Sequence, residues 1–327
     1  MSTTQTVRAS VLHGAKDLQV EERPLPPPAP HEVHVAIKST GLCGSDLHYF
    51  THFRNGDIQV RQPLTLGHES AGVVTAVGSG VTHLRPGDPV ALEVGLPCGG
   101  CALCAAGRYN ICREMRFRSS AKGSLPHAQG TLQEVIAHPA AYAHRLPEGV
   151  GLELGALAEP LGVALHAGDR AGLGEAGATV LVFGAGAVGL LCCAVSKAVS
   201  RARRVVVADV NGDRVRWALE RGFADAGVVA TKPGGKIMII GMGNPIQTLP
   251  ISAASLKEVD LVGVFRYANT YPRVIELLSS KNPLLPPVEE LITHRYKSLD
   301  SIPEAFNTAG KVKDDEGNLV LKVMVDF

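Results

Sequence analysis

Residues 180–209 constrain the fold more tightly than any other stretch of the chain. Val180-Leu181-Val182-Phe183 is an apolar run of strand length and largely β-branched character. It is followed at once by Gly184-Ala185-Gly186-Ala187-Val188-Gly189, a G-x-G-x-x-G turn, and residues 190–199 then read as an apolar helix. A second β run, 205–208, ends at Asp209, about twenty residues past Gly189. Strand, glycine turn, helix, strand and spaced acid together form a dinucleotide-binding unit, and each part has a physical task. Gly184 permits the tight turn, Gly186 lets the backbone approach a pyrophosphate, and Gly189 lets the helix pack close on the strand. The helix N-terminus offers unpaired N–H groups and the positive end of its dipole to the phosphates. Asp209 can accept hydrogen bonds from both hydroxyls of an adenosine ribose and would repel a 2′-phosphate, which favours NAD over NADP. Arg214, five residues on, either brackets that ribose or faces solvent. Cys192 and Cys193 lie within the helix as small core residues.

A length of 327 residues allows two domains with a large core. The net charge of +1 provides no electrostatic case for nucleic acid or an anionic membrane. Residues 1–10 hold no apolar signal core, no apolar run reaches membrane-spanning length, and residues 325–327 carry no common retention signal, so a cytoplasmic protein is expected. The seven cysteines are an odd count, which speaks for metal or catalytic use rather than a disulfide framework.

Residues 7–94 show short alternating runs between Pro and Gly punctuation, the pattern of a small barrel or sandwich. Pro24, Pro26, Pro27, Pro28 and Pro30 predict a stiff surface connection rather than a strand. Three clusters of reactive side chains follow. The first two are residues 41–49, with Cys43, and residues 66–69, with His68 and Glu69. A thiolate, an imidazole and a carboxylate suit a catalytic zinc with an open fourth position, although Cys43 could equally be a small core residue. The third is a C-x2-C-x2-C-x7-C run, Cys98, Cys101, Cys104 and Cys112, wrapped by Gly99, Gly100 and Gly107. Four thiolates so spaced predict a closed structural zinc site, with an iron–sulfur cluster as the alternative. Residues 152–171 read as helical with a break at Glu159-Pro160. Glu159 stands among small and apolar residues, where burial would demand a partner such as a metal or its water, while a capping role fits as well.

These segments together resemble the zinc-containing medium-chain dehydrogenases, and most closely their fungal polyol branch of sorbitol, xylitol and L-arabinitol dehydrogenases. The resemblance rests on GLCGSDLHYF (41–50), LGHESAG (66–72), CGGCALCAAGRYNIC (98–112), EPLGVALHA (159–167), VLVFGAGAVG (180–189) and VGVFRYANTY (262–271). It implies an α/β chain with a GroES-like β-barrel catalytic domain, residues 1–157 and 287–327, and a Rossmann NAD-binding domain, a doubly wound parallel sheet, over 158–286. By the same resemblance Cys43, His68 and Glu69 bind a catalytic zinc, with Glu159 at the metal or its water, and the four-cysteine site holds a structural zinc. Ser45 and His48 match a proton relay through the nicotinamide ribose. Tyr49, Glu159, Arg266 and Tyr267 match substrate contacts, and the last two suit a hydroxyl-rich substrate. Gly184, Gly186, Val188, Gly189, Asp209 and Arg214 match NAD-binding positions. The implied reaction is oxidation of a secondary hydroxyl of a polyol to a ketose, with hydride passing to NAD. The implied assembly is a homo-oligomer, a tetramer in most relatives of this kind.

The chain departs from that pattern in two places. After Asp209 and its helix, residues 222–229 run almost directly into 230–235, the lead-in to the strand at 236–240. More than one βα unit is missing near 228–230, roughly 50–60 residues on the usual layout. Either the 236–240 strand moves in beside 180–183, or parallel strands keep unpaired edges, which predicts a less stable cofactor domain and weaker NAD binding. The loop at 116–120, Arg116-Phe117-Arg118-Ser119-Ser120, is more polar than the resemblance implies. Two further functions therefore stand beside polyol oxidation: the same chemistry on another secondary alcohol, or a degenerate member without catalysis.

Overall fold

The computed structural model describes residues 4–123, 125–173, 177–227, 234–241 and 251–327. The chain forms two compact units. The first comprises Met1–Glu159, Tyr271–Ser279 and Ile292–Phe327, and the second comprises Pro160–Thr270 and Ser280–Leu291. The domain limits expected from sequence, 157/158 and 286/287, differ from this division chiefly in the helix Tyr271–Ser279, which joins the first unit.

The first unit is built on a seven-stranded mixed sheet in the order Ala143–Arg145, Pro89–Leu92, Glu69–Val77, Glu32–Gly41, Lys322–Asp326, Ile292–Lys297, with Val135–Pro139 also paired to Glu32–Gly41. The end strands of that path do not pair with one another, so the expected barrel is an open path among the described residues. Glu32–Gly41 is its central strand, and Val33, Val35 and Ile37 are fully buried. One apolar cluster gathers Val33, Val35, Ile37, Val74, Val90, Leu92 and Ile136, and a second gathers Leu12, Leu64, Leu66, Leu132, Phe50 and Phe306. The proline-rich connection needs one correction. The strand Asp17–Leu25 runs through Pro24, which is tolerated because this strand lies at the edge of its three-stranded sheet.

The half-buried Arg118 guanidinium donates to three neutral acceptors. Its Nε donates to His138 Nδ1 at 3.1 Å, and its terminal nitrogens donate to Gln129 O at 3.1 Å and Ala137 O at 2.5 Å. Burial pushes its pKa down to about 10. His138 Nε2–H donates to Tyr142 O at 3.1 Å, which leaves Nδ1 as the acceptor and the ring neutral.

In the second unit Thr179–Phe183 pairs in parallel with Arg204–Ala208, which pairs with Ala226–Gly227. Lys236–Ile240 pairs in parallel with Asp260–Val264 in a separate two-stranded sheet. Among the described residues no strand pairs with the free side of Thr179–Phe183, so of the two arrangements expected from the shortened sequence the unpaired one is found. The expected deletion near 228–230 lies outside the described residues. Burial shows the consequence. Val205 and Val207 are fully buried, whereas Thr179–Phe183 is only half-buried along its middle and Phe183 is 73% exposed. Ile237 and Ile239 of the other sheet are exposed as well. In a doubly wound sheet such strands are covered on both faces and read as continuous apolar runs.

Two predictions follow from these features. Hydrogen exchange will find the amides of Val180–Phe183 that face away from Arg204–Ala208 exchanging about 100-fold faster than those of Val33–Ile37; equal protection would mean that the edge is covered. Separately, burial and then the Arg118 charge hold the His138 pKa well below its ordinary value. The unfolded chain takes up a proton near pH 6.5 that the folded chain refuses, so stability rises with pH up to that value and is lost on acidification below it. The unfolding midpoint of the first unit, followed from pH 7 to pH 5, will fall, and His138→Gln will flatten that slope.

Candidate active site and metal centres

Cys43 is the N-cap of the helix Gly44–His52, whose first turn carries Ser45 and Asp46 and whose later turn carries His48 and Tyr49. His68 and Glu69 lead into the strand Glu69–Val77, which pairs with Glu32–Gly41 so that Glu69 stands opposite Gly41. Glycine is needed there because a Cβ on Gly41 would overlap the Glu69 carboxylate. The donor atoms of Cys43, His68 and Glu69 all lie within 4.8 Å of one another. Thiolate, imidazole and carboxylate at that separation fit one zinc-sized ion with an open position.

Sequence reasoning missed the supports of this trio. Lys322 is buried and its Nζ donates to both Glu69 oxygens, at 2.8 and 2.7 Å, and to Leu42 O at 3.2 Å. Burial works against its charge, yet Glu69 and Cys43 raise its pKa overall. A lysine inside the apolar run 319–325 was the available signal. Asp46 is fully buried, accepts from Gly67 N–H at 3.1 Å, and lies 3.2 Å from His68 Nδ1. Burial raises its pKa, but the charge and hydrogen bond of His68, with further hydrogen bonds from Gly67 and Ser119, lower it overall. For His68, burial disfavours the cation, while Asp46 and Cys43 bring the pKa well above the ordinary value.

Ser45 Oγ is 3.5 Å from His68 Nε2, and His48 is exposed one helical turn further on. Glu159 is buried in the first turn of the helix Ala158–Ala171, but it is not part of the trio. The helical break falls at Leu157, just before it, with Pro160 inside the first turn. Tyr49 is buried, and its hydroxyl accepts from Ala121 N–H at 3.2 Å. Arg266 takes a left-handed φ of 52° and its guanidinium stacks on Phe265, 4.7 Å from the ring centre, while Tyr267 is buried against Gly162. These last two residues belong to the second unit.

The four cysteines form a cage around the short helix Ala102–Ala105. Gly99 and Gly107 turn the chain at φ 75° and 69°. Their sulfurs are 3.5, 3.6, 3.9 and 3.9 Å apart, far beyond a disulfide bond. A tetrahedral ion with metal–sulfur bonds of about 2.3 Å requires sulfurs about 3.8 Å apart, so the cage fits one such ion and leaves no room for a cluster. Tyr109 of this lobe donates to Glu93 Oε1 at 2.6 Å, and Glu93 Oε2 meets His144 Nε2 at 2.8 Å, which ties the lobe to the sheet.

The glycine turn has the shape that its sequence implies. Gly184 has φ 101°, a conformation that favours glycine, and a Cβ on Gly189 would overlap Gly184 O. At Gly186 an added Cβ would meet only Arg214 Nη1, at 4.0 Å, so the backbone is bare and a cationic group stands beside it. Val188 lies in the first turn of the helix Ala187–Ala198. Asp209 accepts from Ala185 N–H at 2.6 Å and Asn211 N–H at 2.8 Å, one per oxygen, which leaves acceptor capacity on each.

Lys322→Met will leave Glu69 as an unpaired buried charge and cost about 3–5 kcal/mol in the metal-free protein, with a smaller loss once zinc occupies the trio. Denaturant unfolding with and without chelator measures both, and an equal loss in the two states would mean that the metal does not reach Glu69.

The description "Alcohol dehydrogenase GroES-like domain" fits residues 29–148. The chain is 39% identical to sorbitol dehydrogenase of Gallus gallus, with 94% of each chain covered. It is 36% identical to L-idonate 5-dehydrogenase of Vitis vinifera, over 98% of this chain and 94% of that one. The 346 and 360 aligned positions exceed the 327 residues of this chain, so the relatives carry segments that it lacks. The solved L-idonate 5-dehydrogenase of Escherichia coli superposes with a TM-score of 0.86 at 26% identity and 99% coverage of both chains. No helix among the described residues is long and apolar enough to cross a membrane. With this degree of identity over nearly its whole length, and with the metal trio and glycine turn in place, the chain belongs to the zinc-containing medium-chain dehydrogenase family.

Proposed function

We propose that the protein oxidises a secondary hydroxyl of a sugar alcohol to a ketose and passes the hydride to NAD. The observation that carries this reading is the convergence of Cys43, His68 and Glu69 within 4.8 Å, with Ser45 Oγ 3.5 Å from His68 Nε2. In this reading the first unit is the catalytic domain and the second binds the dinucleotide. When bound to the trio, zinc supplies Lewis acidity that makes an alcohol easier to deprotonate. Ser45, half-buried, takes the proton, and His48, exposed on the next turn, hands it to solvent. Glu159 acts close to the metal. Tyr49 on the first unit, and Arg266 and Tyr267 on the second, are the candidate substrate contacts. The four-cysteine cage holds a second, structural zinc.

NAD is favoured over NADP because Asp209 sets a negative charge where a 2′-phosphate would lie. The polyol preference follows the relatives' names, sorbitol and L-idonate dehydrogenases. A cytoplasmic homo-oligomer completes the proposal. The unpaired edge of Thr179–Phe183 favours one competing reading, a member that keeps zinc but has lost its dinucleotide.

Titration of NADH into metal-analysed protein, followed by its fluorescence, separates these readings. Binding with about two zinc per chain, together with NAD reduction on sorbitol, xylitol or L-arabinitol, supports the polyol dehydrogenase. Full zinc without NADH binding supports the non-catalytic member, and turnover confined to simple secondary alcohols moves the substrate class. Asp209→Asn will reduce the preference for NADH over NADPH by about tenfold or more, the scale of one charge-assisted hydrogen bond. An unchanged ratio would remove Asp209 from cofactor choice.

A further inference from the structure

The loop 116–120 departs from the expected apolar pattern, and its structure gives the departure a purpose. Arg116–Phe117 pairs with Gly95–Leu96, and Phe117 presents its edge to the His68 ring, 5.4 Å between centroids at 61°. Arg118 is pinned by the three hydrogen bonds described above. Ser119 N–H donates to Ala128 O at 2.9 Å, and Ser120 bridges to Ala128. Held from both sides, Ser119 adopts a left-handed φ of 62°, unusual for a serine, and is 2% exposed. Strain of this kind persists where the surroundings over-determine it, and it clusters at functional sites. Its product here is a hydroxyl placed 2.8 Å from His68 Nδ1, closer than the Asp46 oxygen at 3.2 Å.

A histidine that ligates a metal through Nε2 carries its proton on Nδ1, and the acceptor of that proton fixes the ring's tautomer and orientation. We propose that Ser119 is the positioning residue for His68: its Oγ accepts the Nδ1 proton at 2.8 Å, while Asp46 lies 3.2 Å from the same nitrogen. The carboxylate that faces the imidazole is thus joined by a hydroxyl that lies nearer the same nitrogen, and the hydroxyl sets the ring angle. This inference rests on the reading of Cys43, His68 and Glu69 as a metal site, but not on the identity of the substrate.

The test compares Ser119→Ala, which removes the hydroxyl and keeps a side chain in the strained conformation, with Ser119→Gly, which removes both hydroxyl and strain. Each full-length variant is loaded with zinc, and separately with cobalt(II), then challenged with a chelator. One metal per chain is expected to leave both variants about 10–100-fold faster than the parent, the range for loss of such a supporting hydrogen bond. The four-cysteine metal should leave at the parental rate, the cobalt absorption band should shift in both variants, and Ser119→Gly should unfold at or above the parental midpoint. A merely structural serine would lower the midpoint of Ser119→Ala and leave the cobalt band alone. Parental release rates and an unshifted band in both variants would overturn the proposal while the metal site stands. A parent chain that holds only the four-cysteine metal would overturn it together with the functional reading.

Discussion

The Glu69 carboxylate is sealed almost wholly inside the first unit, and a charge in that position must be compensated. Lys322 does so, from 253 residues further along the chain, with both carboxylate oxygens bonded to one ammonium. This pair ties the C-terminal strand Lys322–Asp326 to the strand Glu69–Val77 across Glu32–Gly41, and so couples formation of the large sheet to assembly of the donor trio. A buried pair of this kind is weak evidence for extra stability, since the desolvation cost is large. Its value here lies in holding a carboxylate beside a thiol and an imidazole.

The rest of the trio is held by the same logic of satisfied burial. Asp46 is placed by the helix Gly44–His52, accepts from Gly67, and faces His68 together with Ser119. Each of these groups would be costly alone in the interior, and each is stabilised by the next. The four-cysteine lobe is a separate solution. Tight glycine turns bring four sulfurs to the separation that one tetrahedral ion demands, and Tyr109, Glu93 and His144 carry the lobe on the sheet.

The second unit is where the chain strains its fold. The glycine turn and Asp209 are formed, yet the strand that leads into them lacks a neighbour on one side among the described residues. Apolar side chains built for a covered sheet, Phe183, Ile237 and Ile239, are left partly in water. The local motif survives because its hydrogen bonds and glycine conformations are short-range. The sheet that should shelter it depends on segments the chain does not have.

What could be read from the sequence was what rests on local spacing. The C-x2-C-x2-C-x7-C run and the G-x-G-x-x-G turn were legible because covalent reach and backbone conformation act over a few residues. The expectation that Pro24 lies outside any strand failed because an edge strand does not need its N–H. Cys43, His68 and Glu69 were legible only weakly as spacing and gained force from resemblance, since the first lies 25 and 26 positions from the other two. Asp46 carries no local signature, and a lysine in an apolar run or a serine in a polar loop does not name its partner. Which buried charge meets which partner is decided when strands distant in sequence pair, because desolvation makes an unpaired group intolerable only once the core has closed around it. The sequence by itself determined the turn, the sulfur cage and the chemical types of the donors; the tertiary structure alone decided how those donors are oriented and which charges keep them in place.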